Sequence, residues 1–223
     1  MDHTTAIAEL ERRGSEQTRK TYRRHGVLGD QYGVSYADLK ALKKAIKTDQ
    51  ALAESLWATG NHDARILATM IADPKSIARK VLESWSRDVD NDVLAGALAG
   101  VVAGSPHARA LMEKWVESDK EWLGSAGWSV LARLAGNSAS GLSHQECAGY
   151  LETIRTTIHG RENRVRYAMN GALIAIGLRS PEFQEKALGA AKAIGKVEVD
   201  HGDTDCKTPD AAEYILKAAK RRA

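Results

Sequence analysis

Four groups of residues in this chain have types and spacings suited to chemistry. Asp92, Gly96, Gly100 and Gly104 lie four apart on one stripe of a helix read over 92–104, where nearly every other residue is apolar. Glycine inside a helix costs about 1 kcal/mol relative to alanine. Three on one stripe therefore point to a close approach, either by a neighbouring helix backbone or by a substrate lying in a groove with Asp92 at its mouth. A second group, His62, Arg65 and Thr69, falls opposite the apolar set Ala64, Leu67, Ala68 and Ile71. In a third, Arg166 and Asn170 stand four apart, away from Val165, Ala168, Met169, Ala172, Leu173 and Ile176. Arginines at such places can meet phosphate, and helix N-termini add amide donors for anions. An ordinary solvated face is the competing reading. The fourth group is the polar stretch 199–207, with His201, Asp203, Asp205 and Cys206. All four are metal-capable types, but the paired Cys/His spacing of a structural zinc site is missing, so the expectation is no metal and a hydrogen-bonded loop that docks the last helix.

The elements that position these residues are helices. Apolar residues in 61–72 and 163–177 recur at i, i+3, i+4 and i+7, whereas no run alternates with period two between turn residues. Only Val197-Glu198-Val199 hints at extended chain. The four prolines, 74, 106, 181 and 209, fit helix boundaries; Thr208-Pro209-Asp210 reads as a capping hydroxyl, a proline and an acid opening a helix. The basic end Lys217–Arg222 suits a helix C-terminus. A loose repeat runs through the middle. A first helix ends on Trp57, Trp85, Trp115 or Ile158, a short polar turn follows, and a second, more apolar helix comes next. A spacing of about thirty to forty residues belongs to helical solenoids. The fold expected is all-α: about a dozen helices in antiparallel pairs, one curved HEAT-like superhelix spanning 1–223. The recurrent tryptophans are expected to pack one repeat on the next.

Composition narrows the class. With 223 residues, 43% hydrophobic and 27% charged, the chain can bury a core. A net charge of +3 permits nucleic-acid binding without arguing for it. Two cysteines, Cys147 and Cys206, build no disulfide framework. The absence of an N-terminal signal pattern, and of any apolar run near the ~20 residues a bilayer requires, gives an expectation of a cytoplasmic protein with no membrane partner. Neither a phosphate loop, a dinucleotide fingerprint nor a Ser-His-Asp order can be read, and no cofactor is expected.

Several stretches resemble the HEAT-like repeat DNA alkylation repair proteins, which include the AlkD-type alkylpurine DNA glycosylases. They are Tyr32–Lys40, Leu56–Ala68, Asp88–Asp92, Glu121–Trp128 and Asn163–Asn170. The resemblance runs over about residues 15 to 195. It implies a double-stranded DNA partner, met at its phosphate backbone, and release of N3- or N7-alkylated purines. In that chemistry an aspartate and tryptophan faces stabilise a sugar cation, which is what an oxocarbenium-like transition state requires. Matching the DVDN strings puts the aspartate's position near Ala95 or Gly96; matching the following helix puts it on Asp92, with Asp88 where the family has tryptophan. The family's arginine falls near Gly124 or Ser125, and its second tryptophan near Ala172. Asp92 is thus the candidate catalytic residue, and His62, Arg65, Trp122, Arg166 and Asn170 are the candidate DNA contacts. The alternatives are a non-enzymatic HEAT-type scaffold for a protein partner or for branched or damaged DNA, and an unrelated enzyme built on His62, His201 and Asp203.

Overall fold

A computed structural model describes residues 1–137 and 140–221. The basic end read from the sequence reaches Arg222, which lies outside the described residues. Thirteen α-helices form among the described residues: α1 (His3–Arg13), α2 (Glu16–Arg24), α3 (Tyr36–Ile46), α4 (Gln50–Trp57), α5 (His62–Ile71), α6 (Arg79–Trp85), α7 (Asp92–Ala103), α8 (Ala108–Val116), α9 (Glu121–Ala135), α10 (His144–Thr157), α11 (Asn163–Gly177), α12 (Pro181–Ile194) and α13 (Ala211–Lys220). The described residues hold no strand; an isolated bridge pairs Gly14 with Val34. Val197–Val199 is irregular.

Two compact units emerge, Met1–Ala108 with Gly202–Thr204, and Arg109–His201 with Asp205–Ala223. In the first, α3, α5 and α7 neighbour one another as second helices, while α1 packs on α4, and α4 and α6 on the second helices. In the second, α9, α11 and α13 are successive neighbours, and α10 packs on α12. This is the HEAT-like pairing the sequence period implies.

Local chemistry fixes the helix starts. Asn61 and Asn91 cap α5 and α7 through side-chain oxygens that accept backbone N–H groups. Ser143 and Glu146 close a capping box on α10, and Pro181 follows the cap Ser180 on α12. At α13 the expected cap shifts: Asp210, not Thr208, accepts the Glu213 N–H, because Pro209 precedes the first helical turn. Helices α4 and α6 end on Trp57 and Trp85, each 3% exposed and stacked at 4.4 Å and 5°. Trp115, 1% exposed, lies one residue before the end of α8. The stacked rings of Trp57 and Trp85 pack one repeat on the next, as expected. Gly127 lets α9 meet α8, since a Cβ there would stand 2.6 Å from the Trp115 carbonyl carbon.

Polar bonds stitch the repeats at a regular separation. In the first unit Asn61 Nδ2 donates to Asp30, Trp57 Nε1 to Asp88, and the Tyr32, Gly33 and Val34 amides to Asp63, all 29–31 residues apart. In the second, Arg161 donates to the Ser118 carbonyl, the Arg164 amide to Glu121 and Arg179 to the Ala135 carbonyl, 43 or 44 residues apart.

Candidate functional site

The second helices of the first unit carry two surfaces of opposite character. On α3, Leu39 and Leu42 are buried, so the face i, i+3, i+4, i+7 formed by Lys40, Lys43, Lys44 and Lys47 is left in solvent. Among the described residues none of the four lysines forms an ion pair. Lys47 is also the one described non-glycine residue with positive φ, at φ 68 and ψ −130. The end of α12 adopts nearly the same geometry, φ 70 and ψ −146, with a glycine, Gly195. A β-carbon in such backbone costs about 1–3 kcal/mol, so α3 keeps an ammonium group where glycine would relax the chain.

On α7 the residues not fully buried are mostly small, Gly96, Ala97, Gly100 and Ala103 beside Asp92 and Val93. Asp92 occupies the first turn, half-buried. A Cβ on Gly96 would meet nothing within 4 Å, so the neighbouring helix expected there is not what that glycine serves. Gly104 is approached closely, but by the Pro74 ring of a turn at 3.1 Å rather than by a helix backbone. Trp57 and Trp85 in the same unit are spent on each other and on Arg65, whose guanidinium lies 5.4 Å over the Trp57 ring.

The remaining sequence candidates on α5 are structural in geometry. Arg65 is half-buried, bonds the carbonyls of Trp57 and Asp88, and lies 3.7 Å from the Asp88 carboxylate. His62, expected on a polar face, is 4% exposed. Its ring packs edge-on to Tyr22 at 5.3 Å, and neither nitrogen has a hydrogen-bond partner. Burial pushes its pKa below the usual 6.5, against the opposing pull of Asp63 and Asp90 and with a smaller push from Arg65. Asp63, fully buried, accepts the amides of Tyr32, Gly33 and Val34 at 2.7, 2.9 and 2.8 Å.

In the second unit, the loop after α12 folds onto α11. Asn163 holds Asp200 at both backbone groups, donating to its carbonyl and accepting its amide, each at 2.7 Å. His201 contacts Thr208 Oγ1 at 3.0 Å and packs edge-on to Tyr167. Asn170, 2% exposed, donates to the Pro209 carbonyl. Arg166 is half-buried; its Nε lacks a partner and its Nη2 reaches Asn163 at 3.4 Å. Trp122 is half-buried on α9. Lys196, His201, Lys207 and Asn170 help line a cavity of about 500 Å³ beneath this loop. His201 belongs to the second unit and Asp203 to the first. Cys147 is buried, which raises its thiol pKa, and Cys206 is exposed. No group of three or more His, Cys, Asp or Glu among the described residues is arranged to hold a metal ion, and no described helix is long and apolar enough to cross a membrane.

A family model described as DNA alkylation repair enzyme matches residues 6–215. The chain belongs to the DNA alkylation repair family. Two relatives from Listeria, the uncharacterized protein Lin0241 of L. innocua and the uncharacterized protein Lmo0209 of L. monocytogenes, are each 32% identical over 220 residues, covering 96% of this chain and 95% of the relative. A solved structure matches all of this chain and 95% of its own, with a TM-score of 0.90 and 33% identity. It is described as a new family of proteins related to the HEAT-like repeat DNA glycosylases with affinity for branched DNA structures. In this member of the DNA alkylation repair family, the lysine stripe on α3 is a feature absent from the sequence-based candidates. Its i, i+3, i+4, i+7 spacing is legible in the sequence, but α3 precedes the tryptophan-ended repeats that carry the periodic signal.

Proposed function

We propose that this protein is a DNA-binding member of the DNA alkylation repair family that engages the phosphate backbone, with branched DNA as its preferred form. The observation that carries the reading is the stripe Lys40, Lys43, Lys44 and Lys47, exposed and without ion pairs among the described residues. Seven residues of helix cover about 10 Å, and phosphates advance about 3.4 Å per nucleotide along a duplex strand, so the stripe matches about three phosphates. Each neutralised phosphate releases counterions, which makes affinity fall with salt. The branched form is suggested by the solved relative, described as having affinity for branched DNA structures, which aligns with the whole chain. Arg65 and Arg166 are the lesser phosphate contacts in this reading, because both guanidinium groups are half-buried.

Base excision is the second reading, carried by Asp92 at the head of α7 above the open Gly96. It is the weaker one, since the two tryptophans of the same unit are buried against each other and offer no face to a sugar cation.

The test replaces Lys40, Lys43 and Lys44 by alanine and Lys47 by glycine, and measures affinity for a four-way junction across a salt series. The log–log salt slope is expected to shrink by about three, near one per phosphate contact. Lys47→Gly also relieves the left-handed backbone, so the variant should melt no lower than wild type. A junction bound with an unchanged slope would remove the stripe from the interface.

A further inference from the structure

Leu28 is 85% exposed, whereas the next most exposed large apolar residue, Tyr214, is at 51%. A single exposed leucine is unremarkable by itself; the way this one is held is not. It stands at the tip of the turn between α2 and α3. On one side Gly26 turns the chain with φ +80, and Val27, 1% exposed, bonds back to the Tyr22 carbonyl. On the other side the buried Gln31 amide donates to the Val27 carbonyl, and Asp30 takes the Asn61 side chain at 3.0 Å and the His62 amide at 2.8 Å. Residues on both flanks are thus tied to the body of the first unit, and Leu28 alone projects. The tip lies beside the N-terminus of α5. The preceding helix α2 brings exposed Lys20, Arg23 and Arg24, with Glu16 paired to Arg19 and Arg23. Asp90 also lies near the tip, its carboxylate 3.6 Å from a Cβ built on Gly29, and Gly202, next to Asp203, stands against the Arg24 carbonyl. A polyanion reaching the tip meets the cationic groups of α2.

We propose that Leu28 is an apolar wedge that enters the interrupted base stack at a DNA branch point, with Lys20, Arg23 and Arg24 meeting the phosphates alongside. The proposal rests on the reading that the protein binds branched DNA. Apolar side chains that enter an intact duplex must first unstack a base step. At a branch point the stack is already broken and base faces are exposed, so the same side chain is buried without that penalty. The wedge thereby turns an apolar contact into a preference for branched over linear DNA.

The experiment measures binding of the full chain and its Leu28→Ala and Leu28→Phe variants to a four-way junction and to a linear duplex of the same sequence. A 2-aminopurine base at the branch reports stacking. Leu28→Ala should weaken junction binding roughly 10- to 50-fold, the scale of burying about three carbon groups. Duplex affinity and the salt slope should not move, the 2-aminopurine signal seen with wild type should vanish, and Leu28→Phe should retain it. Equal junction affinity for wild type and Leu28→Ala, or an equal loss on both DNAs, would overturn the wedge while leaving DNA binding intact. Wild type binding neither DNA would overturn the wedge and the functional reading together.

Discussion

Replacing Asp63 by alanine isolates what holds the wedge-bearing segment. The carboxylate is fully buried and accepts three successive amides, from Tyr32, Gly33 and Val34, at 2.7–2.9 Å. Alanine removes all three acceptor contacts at once. The Gly33 and Val34 bonds are themselves buried, so water does not readily replace the lost oxygen. A buried donor left unpaired costs about 1–3 kcal/mol, so the two buried donors, Gly33 and Val34, come to about 2–6 kcal/mol. For a chain of this size each kcal/mol moves the melting temperature by about 2–4 °C. The expected drop in Tm is then roughly 4–24 °C by circular dichroism. Asparagine at the same position retains one acceptor oxygen and turns an NH₂ toward a donor, so Asp63→Asn should fall between wild type and alanine. Hydrogen exchange should locate the damage, with amides 32–34 losing protection in Asp63→Ala while α9 and α11 keep theirs. A variant that melts within two or three degrees of wild type, with those amides still protected, would show that the three bonds do not organise this segment.

Two other substitutions have defined outcomes. Because the folded-state pKa of His62 lies below the usual 6.5, the unfolded chain binds the extra proton first; stability is full above about pH 6.5 and declines as pH falls toward the lowered value. His62→Leu should abolish that limb in urea titrations between pH 5 and 8, and a limb of the same size in the variant would assign it to other groups. Asp92→Asn should lower the Tm by about 1–4 °C, the value of an acid near a helix N-terminus, and leave release of methylated bases from duplex DNA at the wild-type level; a drop of ~100-fold would instead put the carboxylate in the chemistry.

The sequence carried the helices well because their signals are local. The tryptophan ends of α4 and α6, the short polar turns that follow them and the Ser180-Pro181 start depend on residues a few positions apart. The polar face of α5 was misread at His62 for a geometric reason. A side chain at the first helical position leans back toward the N-terminus, and here that direction meets Tyr22 rather than water. Asn170 looked solvent-facing because what covers it, Pro209, lies 39 residues on and belongs to no element that periodicity can detect. Leu28 sent no signal at all: its exposure follows from the anchoring of Val27 and Gln31, which only the folded chain reveals.

The clasp of Asn163 on Asp200 has a consequence for recognition. The residues between α12 and α13 have almost no regular structure, yet Asn163 and Asn170 of α11 tie them down at Asp200 and Pro209, and a His201–Thr208 contact closes the segment on itself. A loose segment of that length would forfeit about 0.5–1.5 kcal/mol for each long side chain it ordered around a partner. This one has surrendered that freedom during folding. A molecule entering the cavity beneath it meets walls already in position, so the affinity such a site reaches is governed by fit rather than by how much motion must be frozen.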